Sequence, residues 1–321
     1  MGRDGSRPKK VTTLQDLNDD VLREILDIIP AGRSWQETLR RAELHGNASI
    51  RRPPSDLVNF CSTCHRLRDL GTPYIFSAAS LTPYSNGRQA SSLLRMIGHS
   101  RMATRQVKKL SIALVHHVPG DFGHNLCLAL QSLPAMHDLT LVLPEQSRPL
   151  VWTCFQQTRL CLPQVKTLAF MPFDTGAFLF HFAETVLGAF PGLSSLSVRK
   201  LQESGKKTPF FTLDASMKDF LSLVCRIHSE NLQSLTLQLS GTPSDYASGF
   251  TIRLPNLTSL WIKDYDWFKN LEQLPAKFRD DLRDMFPKLA ILRLGVTSDD
   301  QRLGEPQVSF TLTTSREWGQ I

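Results

Sequence analysis

One short pattern of apolar and polar positions returns seven times: an apolar residue, two variable positions, a leucine, one further position and another apolar residue. The copies run Val107–Ile112, Met136–Leu141, Val165–Phe170, Leu193–Val198, Leu232–Leu237, Leu257–Ile262 and Leu289–Leu294. In Leu232–Leu237 the last four residues alternate apolar and polar, which is the period of a β-strand with one buried face. Five copies carry a proline just before the first apolar residue: Pro134, Pro163, Pro191, Pro255 and Pro287. Proline cannot continue a helix, so it ends the preceding segment and delivers extended chain into the strand. Helical patterns such as Phe178 to Phe190 and Met217 to Ile227 lie between strands. Each unit therefore reads strand, loop, helix, loop.

The central leucines are Leu110, Leu139, Leu168, Leu196, Leu235, Leu260 and Leu292. They recur at roughly 30 residues, a period that with L-x-x-L-x-L resembles leucine-rich repeats. The longer step from Leu196 to Leu235 needs an insertion, expected as an exposed loop around Gln202 to Pro209. No copy has the Asn or Cys that the leucine-rich consensus places after the strand. The resemblance implies an α/β fold, with residues 107–321 as a repeat domain and parallel strands stacked in sequence order into a curved solenoid. Val308 to Leu312 alternates and is expected to add a terminal strand. Side chains between the core positions, Ser111, Thr140, Ala169, Ser197, Thr236, Trp261 and Arg293, are expected to line the concave face. Aromatic residues and arginine are enriched at binding hot spots. The expected protein-substrate contact is therefore Trp261, Tyr265, Trp267, Phe268 and Arg293.

Ahead of the repeats, Leu17, Val21, Leu22, Ile25, Leu26 and Ile29 fall at helical spacing. Asn18, Asp19 and Asp20 suit a helix N-terminus. A second helical pattern covers Asp56 to Leu70, with Gly71 and Pro73 expected to stop it. The strings Leu17-Asn18-Asp19-Asp20-Val21-Leu22-Arg23-Glu24-Ile25-Leu26, Asp56 to Cys61, Cys64 to Leu70 and Pro73-Tyr74-Ile75-Phe76 together resemble an F-box. This sequence departs by having Asn18 where that family has proline, and by a long insertion at 31–54. The organisation then reads as a basic tail 1–12, expected to be disordered, an F-box-like module 13–77, a basic connecting helix in 78–106, and the repeats. The resemblance is strongest to the F-box proteins with degenerate repeats of filamentous fungi. It implies a substrate-recognition subunit of an SCF-type cullin-RING ubiquitin ligase, in the ubiquitin-conjugation pathway. The module would bind the SKP adaptor through Leu17, Val21, Leu22, Ile25, Leu26, Leu57, Val58, Phe60 and Leu67. The alternative is a leucine-rich-repeat scaffold for protein–protein interaction outside any ligase.

Composition narrows the chemistry. No apolar run approaches the roughly 20 residues of a membrane span, and Met1 to Lys10 lacks the apolar core of a secretory signal. The expected location is cytoplasmic and/or nuclear, with no membrane partner. Cys61-Ser62-Thr63-Cys64-His65 has no second ligand pair at zinc spacing, and its apolar flanks favour core packing. His181 and Glu184 sit one helical turn apart but among phenylalanines, with no third ligand. Phosphate-loop, serine-elbow and zincin strings are absent from the sequence, so neither enzyme activity nor a metal or cofactor is expected. The net charge is +7. Gly71 to Gly120 contains no acid but Arg88, Arg95, Arg101, Arg105, Lys108 and Lys109. Without aromatic residues among these bases, nucleic acid is not an expected partner.

Overall fold

A computed structural model describes residues 17–28, 55–81, 87–100, 105–114, 117–170, 180–198, 215–238, 252–263, 284–295 and 309–311. The chain opens with helices α1 (Asp19–Ile28), α2 (Ser55–Thr63) and α3 (His65–Phe76). Strand β1 (Ala78–Leu81) and helix α4 (Gly87–His99) follow. Then come β2 (Lys109–Ala113), α5 (Phe122–Gln131), β3 (Asp138–Val142), α6 (Arg148–Gln157), β4 (Thr167–Phe170), α7 (Phe180–Gly188) and β5 (Ser195–Val198). The last part holds α8 (Ala215–His228), β6 (Ser234–Gln238), β7 (Ser259–Lys263), β8 (Ile291–Gly295) and β9 (Ser309–Thr311).

All strands form one sheet in the order β1 to β9. Strands β1 to β8 pair in parallel, and β9 pairs antiparallel with β8. The seven leucine-centred strands are therefore parallel and in sequence order, and their leucines stack in register: Leu110 on Leu139, Leu139 on Leu168, and so to Leu292. The predicted terminal strand is β9, whose described residues Ser309–Thr311 lie within Val308 to Leu312; Val308 and Leu312 themselves lie outside the described residues. Two departures lie between the module and β2. The four residues after Ser77 form β1 rather than helix, and the connecting helix expected in 78–106 is α4, Gly87–His99.

One backbone bond repeats along the sheet. A single carbonyl ahead of each strand accepts from two successive N–H groups of the next unit. Ser77 accepts from Lys108 and Lys109 at 2.8 and 3.0 Å, Lys108 from His137 and Asp138 at 2.9 and 3.1 Å, and Thr258 from Ala290 and Ile291, both at 2.9 Å. His137, Lys166, Ser194 and Gln233 occupy the same position in between. Amides that enter a strand thus find acceptors before the ladder begins.

The helices cover one face of the sheet. Leu110, Leu139, Leu168, Leu196, Leu235 and Leu260 are buried with Phe122, Phe155, Phe190 and Phe220 in one continuous core. The rings meet edge-on, Phe155 and Phe190 at 6.4 Å between centroids and Trp152 and Phe155 at 5.4 Å. A second, smaller core belongs to the N-terminal helices: Leu22, Leu26, Phe60, Cys61 and Leu67, with Leu17, Cys64, Leu70, Tyr74 and Ile75 packed around it.

The expected single helix from Asp56 to Leu70 is two helices. Cys64 breaks it with an extended backbone, φ −158° and ψ 168°, and the Thr63 hydroxyl closes the last turn of α2 by donating to the Phe60 carbonyl. Gly71 and Pro73 do not stop α3, which runs on to Phe76 with Pro73 inside it at the loss of one ladder bond. Gly71 instead marks a close approach: a Cβ there would collide with the Cys61 sulfur of α2.

Candidate interaction surfaces

Two surfaces carry the residues expected at binding sites, the outer side of the helical module and the open face of the sheet. Helix α1 starts where expected. The Asn18 side-chain oxygen accepts from the Val21 N–H at 2.8 Å, which caps the helix. Arg66 of α3 then clamps this end. Its Nε and Nη2 donate to Asp19 Oδ1 at 2.9 and 2.6 Å, and Nη2 also donates to the Leu17 carbonyl at 2.7 Å. Arg66 thus forms a polar link between the two helices.

The structure sorts the nine module residues expected at the adaptor interface. Leu22, Leu26, Phe60 and Leu67 are buried in the module's own core and are not available on its surface. Their apolar area is needed inside because three short helices have little else to bury. Val21 is 38% exposed. Leu17 and Ile25 are half-buried. The side chains of Leu57 and Val58 lie outside the described residues, although their backbone is part of α2.

On the sheet, the register places Ser111, Thr140, Ala169, Ser197, Thr236, Trp261 and Arg293 in one column across seven strands. Ser80 of β1 extends it by one strand. Thr140 and Ala169 are buried, not open as expected. Neighbouring strands stand about 4.8 Å away on both sides, so small side chains lose much of their area to column mates. Ser111, Ser197, Thr236 and Trp261 are half-buried. The backbone of Arg293 pairs with that of Trp261. Tyr265, Trp267 and Phe268 lie outside the described residues.

The other chemical candidates are occupied or shielded. The Glu184 carboxylate accepts from Arg226 Nη2 at 2.7 Å, an ion pair between α7 and α8. Cys61 is buried, and Cys64 is half-buried. Burial pushes the Cys127 and Cys225 thiols up to about 11, so both stay protonated near neutral pH. His228 is fully buried, and neither ring nitrogen makes a hydrogen bond of normal geometry. Burial pushes its pKa down, and the Leu187 backbone opposes this weakly. Among the described residues, no three His, Cys, Asp or Glu side chains gather as a metal site, and no helix is long and apolar enough to cross a membrane. Comparison with protein-family models and with curated proteins finds no match.

Proposed function

We propose that this chain is the substrate-recognition subunit of an SCF-type cullin-RING ubiquitin ligase. In this reading an F-box module docks on the SKP adaptor, and a leucine-rich-repeat solenoid holds a protein substrate. The observation that carries it is the outer edge of α1. Val21, with the half-buried Ile25 one turn on, keeps apolar surface turned outward on a module that already has its own core. A contiguous apolar patch left outside a completed core is a candidate binding site. Each such side chain contributes roughly 1.5–3 kcal/mol if fully desolvated, before the costs of association.

No bond is made or broken by this chain in that mechanism. Substrate held on the open face of the sheet, with Trp261 and Arg293 as anchors, stands near a conjugating enzyme carried by the ligase. Rate enhancement then comes from effective concentration alone.

The test is co-purification with the SKP adaptor. Val21→Asp with Ile25→Asp is the informative variant, because Leu22 belongs to the core and its replacement would unfold the module. Loss of adaptor with an unchanged circular-dichroism spectrum is expected. Equal recovery of adaptor by the folded variant, or none by the wild type, overturns the reading. A repeat scaffold outside any ligase is favoured by one feature. Ser77, which joins α3 to the edge strand β1, accepts the first inter-unit bonds, as a capping element would. That reading predicts no adaptor in the wild-type preparation.

A further inference from the structure

The carbonyl position that receives two N–H groups from the next unit also forms a column of side chains along one rim of the sheet. Its members in β2, β3 and β4 units are Lys108, His137 and Lys166, all exposed. Later in the same column stand Ser194, Gln233 and Thr258. The backbone geometry is identical in both halves, so nothing in it calls for bases. Lys108 and Lys166 stand two strands apart on this rim, about 10 Å at the usual strand spacing.

More cations reach this rim from the helices. Gly87, at the start of α4, lies against the backbone of His117 and Val118, which follow β2. The C-terminal end of α4 is therefore at the opposite rim, where the strands begin. Arg95 in the last turns of α4 and Arg105 in the link to β2 are exposed there. Arg159, between α6 and β4, is exposed as well, in the left-handed region at φ 47°. Glycine would adopt that backbone without strain, and the chain keeps a base instead. In the stretches from Leu93 to Lys109, Leu126 to Asp138 and Trp152 to Thr167, the sole carboxylate side chain is that of Asp138, and it pairs with Lys109 at 3.7 Å. Beside this rim, Ser92, Arg95, Met96, His99 and Ser100 line a shallow depression of about 400 Å³. Met96 is 63% exposed in it.

We propose that this rim, from the end of α4 across the starts of β2 to β4, is a docking surface for an Asp/Glu-rich peptide segment of a partner protein. The excess of Lys and Arg over carboxylates along this rim is stabilised by anions that run along it. The Met96 depression gives an apolar residue of that segment a seat between Arg95 and His99. Nucleic acid fits less well, because the aromatic residues of these stretches, Trp152 and Phe155, are buried and offer no ring for base stacking. The inference does not rest on adaptor binding and holds for either reading above.

The test is fluorescence anisotropy of the full chain with a labelled Glu/Asp-rich peptide carrying one leucine, a Gln/Asn control of equal length, and a single-stranded and a duplex oligonucleotide. Binding of the acidic peptide alone is expected, weakening about tenfold or more from about 50 to about 300 mM salt. Arg95→Gln with Lys108→Gln and Lys166→Gln is expected to lower affinity on the order of tenfold, and charge reversal at the same three sites further. Arg88→Gln, on the same helix but at the other rim, is expected to change it less than twofold. The sites are exposed, and melting curves check that the variants fold. No binding of the acidic peptide by the folded wild type overturns the proposal. So does equal loss in the Arg88 variant, and so does tighter binding of either oligonucleotide.

Discussion

The helical module and the sheet bury apolar residues in different ways. In the sheet body, the same positions are filled in every unit: Leu139, Leu168, Leu196 and Leu235 repeat one contact, and each unit leans on two neighbours. In the module, Leu22, Leu26, Phe60, Cys61 and Leu67 are all the fully buried apolar side chains there are among the described residues. Repetition spreads load and leaves the open face free to vary. A single small cluster has no spare member, so substitution there removes a large share of what holds it. This difference also explains why α1 can hold both a core leucine and an outward valine side by side. The core needs Leu22 and Leu26 on one edge of the helix and leaves Val21 and Ile25 toward the other.

The largest effects should come from the cores, and they should differ in extent. Phe190→Ala in the body is expected to cost about 3–5 kcal/mol, since it removes a fully buried ring packed edge-on against Phe155. Leu22→Ala in the module is expected to cost about 2–5 kcal/mol. Hydrogen exchange separates the two. Leu22→Ala should release amides of α1, α2 and α3 while β2 to β8 stay protected, and Phe190→Ala should lower protection through the neighbouring units. Global loss of protection in Leu22→Ala would show that module and sheet fold as one cooperative unit.

Next in size is the glycine contact that joins two module helices. Gly71→Ala drives a methyl into the Cys61 sulfur and is expected to destabilise by about 1–3 kcal/mol, as overpacking does. The double variant with Cys61→Ala should recover part of the loss, because the smaller side chain clears the space. Thermal melting of the four proteins of the cycle gives the coupling. Additive losses would mean that the two residues do not meet.

The sequence made the repeats legible because each strand writes the same alternation around one leucine, so even the column from Ser111 to Arg293 could be drawn before the fold was seen. Strand β1 was illegible: Ala78-Ala79-Ser80-Leu81 has a single bulky apolar residue, and it is a strand because β2 offers a partner. The break at Cys64 was hidden too, since the apolar spacing of α2 continues into α3. Apolar spacing in α1 named the right residues for the module but not their sides. Which of Val21 and Leu22 faces inward depends on where α3 lies, and that contact spans more than forty positions of chain. The cationic rim was legible only in part, because Lys108, His137 and Lys166 come together through the register of three strands.

A smaller, conditional effect is set by His228. Its pKa is pushed below the usual 6.5 by burial, so the folded chain binds this proton less readily than the unfolded chain does. Stability from this site is full above the unfolded value and is lost as pH falls below it toward the folded one. Urea midpoints for wild type and His228→Leu, compared at about pH 7.5 and about pH 5.5, check this. The wild type should lose more on acidification than the variant, which has no buried imidazole to charge. Equal losses would place the acid sensitivity in other groups.

The smallest expected effect lies on the outer turns of the repeats. Asn231 Nδ2 donates to the Pro191 carbonyl at 3.2 Å, and Asn256 Nδ2 donates to the Glu230 carbonyl at 2.8 Å. Both carbonyls belong to the equivalent residue of the preceding unit, two positions before its first core leucine. Lys288 then donates to Asn256 Oδ1 at 2.7 Å, so one asparagine ties three units together. All three side chains work at the surface, where a hydrogen bond contributes about 0.5–1.5 kcal/mol net. Asn256→Ala should sit at the upper part of that range, because two bonds go with it, and Asn231→Ala at the lower. Denaturant midpoints of both variants measure this. If Asn256→Ala costs as much as Phe190→Ala, the turns and not the ring-filled core hold the units together, and the contrast drawn between the two regions would have to be rebuilt on the outer edge of the sheet.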